Sequence, residues 1–117
     1  MEPAPPALAL VRDLMFSSRI IATARELKCR VEIIRAPKDL SGRPGSLLLA
    51  DLSLEGAIEA AAEWKQSQEA QVIGFVSHTD AATIARAREA GIDRVMARGG
   101  FAEALPAILE GATPGNR

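Results

Sequence analysis

Residues 46–52, SLLLADL, form the stretch that decides the fold. An unbroken apolar run of this length, followed by a helix signal, is typical of a strand buried on both faces of a parallel sheet. This pattern predicts that Asp51 lies at the carboxyl end of the strand. In open α/β sheets that edge is where ligands bind, so Asp51 is a candidate functional residue.

Apolar strands and amphipathic helices alternate on both sides of this run. A helix is expected after an N-cap at Ser17, another after Ser53, and a third after Thr79 or Asp80 that stops at Gly91. Alternating elements of this kind predict a doubly wound, five-stranded parallel sheet in the flavodoxin-like order 2-1-3-4-5. The other strands are predicted at 7–11, 30–35, 71–75 and 94–97, and the later helices at 54–68, 79–90 and 101–110.

The segment Pro37–Gly45 interrupts this regular alternation. It contains two prolines and two glycines, which argue against a full helix. Only about ten residues connect the two strands there, and a parallel crossover normally takes a dozen or more. The second helix is therefore expected to be a single turn around Lys38, Asp39 and Leu40, or to be missing.

Length and composition predict one soluble domain. The 117 residues fit a single domain over 7–110 with flexible tails at 1–6 and 111–117, and the net charge of −1 gives no reason to expect a nucleic-acid partner. No apolar run approaches the roughly 18 residues of a membrane span. The first residues lack a signal-peptide pattern, and the lone Cys29 fits a reducing compartment, so a cytoplasmic location is expected.

Two stretches of the second half resemble the receiver domains of bacterial response regulators in two-component signal transduction (phosphorelay). Residues 72–80 read VIGFVSHTD and residues 87–98 read AREAGIDRVMAR. They are similar to the receiver pattern of an apolar strand, a helix ending in Glu-Ala-Gly, and a short strand ending in Lys-Pro. The resemblance covers residues 7 to 110, and it places Leu48–Leu52 on the strand that ends in the phospho-accepting aspartate.

The resemblance implies a phosphorylation site with altered parts. Asp51 matches the phospho-acceptor, and the two acids that help receivers hold Mg²⁺ fall on Arg12 and Asp13. Asp13 and Asp51 are therefore the candidate metal ligands. A guanidinium in place of one acid could substitute for the metal by pairing with Asp51.

The remaining receiver positions have also changed. The hydroxyl position falls on Val76, with Ser77 next, and the lysine position falls on Arg98, which is expected to form a salt bridge with Asp51. The aromatic switch position falls on Val95. Arg12, Asp13, Ser77 and Arg98 together form the candidate phosphate or anion pocket.

These changes predict a stand-alone, degenerate receiver (a pseudo-receiver) that acts through protein–protein interaction without a normal Mg²⁺-dependent phosphorylation switch. No enzyme signature is present, and no cofactor is expected unless Asp51 accepts phosphate, when Mg²⁺ is. Two alternatives stay open: an authentic receiver phosphorylated on Asp51 by a histidine kinase, and a sensor of a small anionic ligand. A kinase or regulator is the expected partner, and a homodimer is plausible. The expected contact face comprises Ile84, Arg88, Arg94, Met96 and Leu105.

Overall fold

The computed structural model describes residues 4–112, which form one parallel sheet with helices on both sides. The strand order is β2-β1-β3-β4-β5, so the predicted flavodoxin-like topology is confirmed. The five strands are β1 (Ala7–Leu10), β2 (Val31–Ile34), β3 (Leu47–Asp51), β4 (Gln71–Val76) and β5 (Arg94–Ala97).

Four α-helices cover the sheet, two on each face. Their bounds are α1 (Leu14–Glu26), α2 (Ala57–Ser67), α3 (Ala81–Glu89) and α4 (Arg98–Ala112). Two separate apolar clusters result, one between the sheet and α1 and α4, the other between the sheet and α2 and α3. No helix in the described part of the chain is long and apolar enough to cross a membrane.

The central strand β3 explains why its sequence is continuously apolar. All five of its residues are buried, and successive side chains enter opposite clusters. Leu48 and Ala50 face α2 and α3, whereas Leu47 and Leu49 face α1 and α4. Because a strand's side chains alternate between the two faces of the sheet, a strand covered on both sides needs apolar residues at every position.

The second helix is reduced to one 3-10 turn, Pro37–Asp39, as the loop composition predicted. The segment after it is held against α2 by Trp64, whose indole Nε1 donates a hydrogen bond to the Arg43 carbonyl at 2.7 Å. Gly45 lies so close to Trp64 and Leu8 that a β-carbon would fall within 2.9 Å of both side chains. Close packing of this loop therefore replaces the missing helix.

The predicted helix starts were wrong at three places. Asp13, not Ser17, caps α1, because its Oδ1 accepts the amides of Met15 and Phe16 at 2.8 and 3.1 Å. Helix α2 begins after Gly56, which has a φ of 85°, and not after Ser53. Helix α4 begins at Arg98 and not at residue 101, and Pro106 lies in its interior.

The boundaries of α3 agree with the prediction. The Asp80 carboxylate accepts the Thr83 amide at 3.1 Å, and Gly91 adopts a φ of 94° just beyond the helix. Hydrogen bonding from the Thr83 side chain and from its amide, with the Arg86 charge adding to it, lowers the pKa of Asp80 below its ordinary value. Capping by a carboxylate and a left-handed glycine stop therefore define α3 at its two ends.

Asp93 ties β5 to α2 and β4. Its Oδ2 accepts the Lys65 ammonium at 2.8 Å and the Val72 amide at 2.7 Å. Burial raises the pKa of this carboxyl, but the hydrogen bonds from Lys65 and Val72 outweigh burial and hold the pKa below its ordinary value of 3.8. Asp93 is therefore charged and paired at neutral pH.

Parts of the predicted tails belong to the fold. Ser46 donates its amide to the Pro6 carbonyl at 3.0 Å, which joins residues before β1 to the start of β3. Gly111 and Ala112 continue α4. The other predicted tail positions, 1–3 and 113–117, lie outside the described residues.

Candidate functional site at Asp51

Asp51 is the last residue of β3, at the carboxyl edge of the sheet. It pairs in register with Phe75 of β4, and only 4% of its side chain is exposed. A buried carboxylate is costly unless hydrogen bonds and an opposite charge compensate for the lost water. The partners of Asp51 therefore determine what this site can do.

Both oxygens of Asp51 already have donors. Oδ1 accepts the Ser53 amide at 3.0 Å and the Ser53 hydroxyl at 2.7 Å. Oδ2 accepts Arg98 Nη2 at 2.9 Å in an ion pair. Three donors therefore occupy a carboxylate that can accept about four hydrogen bonds, and Arg98 neutralises its charge.

Arg98 is oriented by aromatic rings as well as by Asp51. Its guanidinium carbon lies 5.3 Å from the ring centroid of Phe16 and 5.6 Å from that of Phe75. Phe75 stacks on Phe101 with centroids 4.3 Å apart, and Phe16 packs against both rings. Cations are attracted to the faces of aromatic rings, so these contacts favour the same Arg98 position as the ion pair does.

The sequence reasoning did not identify the phenylalanine cluster or the role of Ser53. The chain has three phenylalanines in all, and they come from three separate elements, α1, β4 and α4. Because the chain has so few phenylalanines, their positions were the one feature of the sequence that could have indicated this cluster. Ser53 was assigned to a helix cap, although it stands two residues after Asp51, where a hydroxyl can turn back to a carboxylate.

Arg12 does not occupy the position that was expected of it. Its side chain is exposed, and within residues 4–112 no hydrogen bond or ion pair joins it to Asp51. Its carbonyl instead accepts a hydrogen bond from Arg35 at 3.3 Å. The suggestion that the Arg12 guanidinium pairs with Asp51 was therefore wrong, since Arg98 makes that pair.

The hydroxyl candidate after β4 is directed elsewhere. Ser77 is exposed, and its Oγ lies 2.9 Å from the Thr79 hydroxyl in the loop before α3. Val76, the preceding residue, is buried in the core beside α2 and α3. No hydrogen bond among the described residues joins Ser77 to Arg98 or Arg12, so the anion pocket stays a prediction.

Neither a protein-family model nor a curated protein sequence matches the chain. Solved structures do match. The beryllofluoride-activated receiver domain of DrrB superimposes with a TM-score of 0.78 at 17% sequence identity, over 94% of this chain and 97% of that one. The chain has the receiver-domain fold.

Two further solved structures share this fold. A CheY-like receiver domain protein from Methanospirillum hungatei JF-1 matches with a TM-score of 0.73 at 13% identity, over 94% of this chain and 97% of that one. A Burkholderia pseudomallei response regulator, solved with a phosphorylated aspartic acid and a calcium ion, matches with a TM-score of 0.73 at 17% identity, over 90% of this chain and 66% of that one. At such identities the similarity establishes the fold.

The receiver fold raises the question of Mg²⁺, and the donor set does not fit the ion. The Asp13 carboxylate caps α1, and the Asp51 carboxylate accepts hydrogen bonds from Ser53 and Arg98. Across residues 4–112, no three acidic, histidine or cysteine side chains come together as potential ligands. Mg²⁺ is usually held by one or two carboxylates and keeps several waters, and both candidate carboxylates here already accept hydrogen bonds within the protein.

The predicted contact face of this receiver fold is only partly accessible. Arg88 and Arg94 are exposed, and Met96 is half-buried against the cluster beneath α1 and α4. Leu105 is 1% exposed and belongs to that same cluster. Leu105 therefore anchors α4 to the sheet and cannot itself contact a partner.

The switch position of this receiver fold, Val95, packs with the opposite cluster. It is half-buried against the residues beneath α2 and α3. A valine carries no ring or hydroxyl that could exchange a hydrogen bond with the β4–α3 loop. The aromatic side chains near Asp51 come instead from α1, β4 and α4.

Proposed function

We propose that this chain is a receiver-like regulatory module that works by contacting other proteins and does not depend on aspartyl phosphorylation. The single observation that carries the proposal is the pairing of Asp51 with Arg98 Nη2 at 2.9 Å, while Ser53 occupies the other carboxylate oxygen. The receiver fold supports the signalling role. A protein kinase or regulator is the expected class of partner.

The internal ion pair has two consequences for phosphoryl chemistry. A carboxylate attacks a phosphoryl group through an oxygen lone pair, and both Asp51 oxygens already accept hydrogen bonds. Phosphoryl transfer also relies on positive charge to stabilise the transferred group, commonly a bound divalent cation. Here the available cation is Arg98, which neutralises the nucleophile itself.

The test is the response of backbone amide chemical shifts to millimolar Mg²⁺, first alone and then with beryllofluoride, which mimics a phosphoryl group on aspartate. We expect no Mg²⁺-dependent shifts at the ends of β1, β3 and β4. Asp51→Asn is the control, because it removes the carboxylate charge with little change in shape. Arg98→Met is the matched variant that should gain Mg²⁺ and beryllofluoride binding, because it removes the hydrogen-bond donor from Asp51 Oδ2.

Shifts around Asp51 that need Mg²⁺ and disappear in Asp51→Asn would overturn the proposal and identify an authentic phospho-accepting receiver. A response in Arg98→Met but not in the wild-type chain would show that the Arg98 ion pair is what closes the site. Shifts with phosphate-bearing ligands in the absence of Mg²⁺ would instead favour an anion sensor.

A further inference from the structure

The largest exposed apolar side chains of the described residues all lie on α1. Leu14 is 66% exposed, Met15 is 85% exposed and Ile21 is 37% exposed. Leu14, Ile21 and Arg25 stand at positions i, i+7 and i+11, so they share one stripe of the helix. This stripe borders the buried face of α1, which carries Ser17, Ile20 and Ala24, whereas Met15 lies on the side of the helix farthest from the sheet. Exposed apolar stripes of this kind mark contact surfaces.

The surroundings of the α1 stripe are mainly cationic. Arg19 and Arg25 are exposed on α1, and Arg12 and Lys28 flank its two ends. Of the acidic residues there, Asp13 is used as the helix cap, which leaves Glu26. The outer face of α1 therefore has the composition of a basic amphipathic helix.

The opposite face of the sheet carries a groove between α2 and α3. It consists of two adjoining hollows of about 580 and 550 Å³ that share Ile58, Glu59 and Arg86. Its apolar lining is supplied by side chains of α2 and of the neighbouring loop and helix: Leu52, Leu54, Ile58, Ala62 and Ala90. The groove begins beside Ser53 and continues to the far ends of both helices.

The walls of this groove are acidic. Five carboxylates line it against one guanidinium, Arg86, which already pairs with Glu59 at 3.2 Å. The whole chain has a net charge of only −1, so negative charge is concentrated at this face. The five acidic residues are Glu55, Glu59, Glu63, Asp80 and Glu89.

We infer that α1 of one copy of this chain docks into the α2–α3 groove of a second copy. The two surfaces complement each other in apolar character and in charge, and an amphipathic helix in a groove is a common mode of recognition. Their lengths also match, since 13 residues of α1 span about 20 Å and 11 residues of α2 about 16 Å.

The geometry makes this association head-to-tail. Helix α1 packs on one face of the sheet and the groove lies on the other, so one molecule cannot fill its own groove. Two copies joined in this way leave one stripe and one groove free. A contact between two different surfaces closes only if the rotation between copies forms a ring, and otherwise it extends into chains. This inference is independent of whether Asp51 accepts phosphate.

The test is sedimentation velocity of the full chain from micromolar to millimolar concentration. We expect the mean mass to rise past that of a dimer with increasing concentration, and to fall at high salt, which screens the charges. An α1 variant, Leu14→Glu with Met15→Glu, and a groove variant, Glu63→Lys with Glu89→Lys, should each remain monomeric. The α1 changes place acids in the first turn of that helix, and Glu89→Lys places a cation in the last turn of α3, as the helix dipole favours.

Mixing the two variants gives the decisive result. The α1 variant keeps its groove and the groove variant keeps its α1, so together they should form a one-to-one dimer that grows no further. A control with the same charge change elsewhere, Asp39→Lys with Glu69→Lys, should associate like the wild-type chain. A wild-type chain that stays monomeric, or a mixture of the two variants that does, would overturn the inference. A groove variant that still dimerises would also overturn the inference, since its dimer would have to form by pairing of α1 with α1.

Discussion

Replacing Arg98 by Met is expected to destabilise the fold by leaving the Asp51 charge buried. The carboxylate keeps the two Ser53 donors but loses the hydrogen bond to Oδ2 and its counter-charge. Breaking a fully buried ion pair costs about 3–5 kcal/mol, and a hydrogen bond to a charged group contributes about 1.5–3 kcal/mol. Because the Arg98 side chain is 36% exposed, solvent screens the pair, and we expect about 2 kcal/mol.

Urea denaturation and thermal melting measure this loss. At this chain length the change corresponds to a melting temperature lower by roughly 8 °C. Arg88, one of the two exposed arginines of α3, provides the matched control, since Arg88→Met removes the same charge from a solvated site and should change stability by less than about 0.5 kcal/mol.

A double-mutant cycle isolates the ion pair from the packing of the methionine side chain that replaces Arg98. Asp51→Asn removes the buried charge, so Arg98→Met should cost much less in that background, with a coupling energy of at least about 1 kcal/mol. Additive effects of the two substitutions, or an Arg98→Met chain as stable as the wild type, would refute the reasoning that this pair closes the site.

Three other substitutions test the fold around the site. Asp13→Ala should lower the unfolding free energy by about 1 kcal/mol in urea, because it removes the α1 cap. Gly74→Ala should cost about 1–3 kcal/mol in the same assay, since its β-carbon would lie 2.6 Å from Leu52, and Leu52→Ala should relieve the clash. Lys65→Met should destabilise the chain at neutral pH. The stability that comes from the lowered pKa of Asp93 is present above pH 3.8 and is lost as pH falls through the folded-state pKa. The melting temperatures of the wild-type chain and of Lys65→Met should therefore converge in acid.

The sheet could be predicted from the sequence because its strands are distinctive. Strand β3 is apolar at every position before Asp51, which happens only when both faces of a sheet are covered. The first residues of the helices were harder to predict, because they depend on which polar side chain is free to cap the helix. Ser53 looked like a cap, but its hydroxyl bonds to Asp51, so α2 begins later at a left-handed Gly56.

The sequence predicted two possible arginine partners for Asp51, Arg98 and Arg12, and the pair with Arg98 is the one that forms. Arg12 and Arg98 both follow strands that end at the same edge of the sheet. Arg98 makes the pair because the rings of Phe16 and Phe75 lie beneath its guanidinium, whereas the Arg12 side chain is exposed to solvent. The acidic groove could not be predicted from the sequence either, since its charges come from α2, α3 and the segments just before them, which meet only in the fold.

Trp64 determines what optical spectroscopy can observe in this molecule. It is the chain's sole tryptophan, it is buried, and its indole is bonded to the Arg43 carbonyl next to the amino end of β3. Asp51 lies at the other end of that strand. Intrinsic fluorescence is therefore a sensitive reporter of the 35–46 loop opening during unfolding. An emission titration that stays silent says little about Asp51, and a probe placed at the carboxyl edge of the sheet is the appropriate sensor for that site.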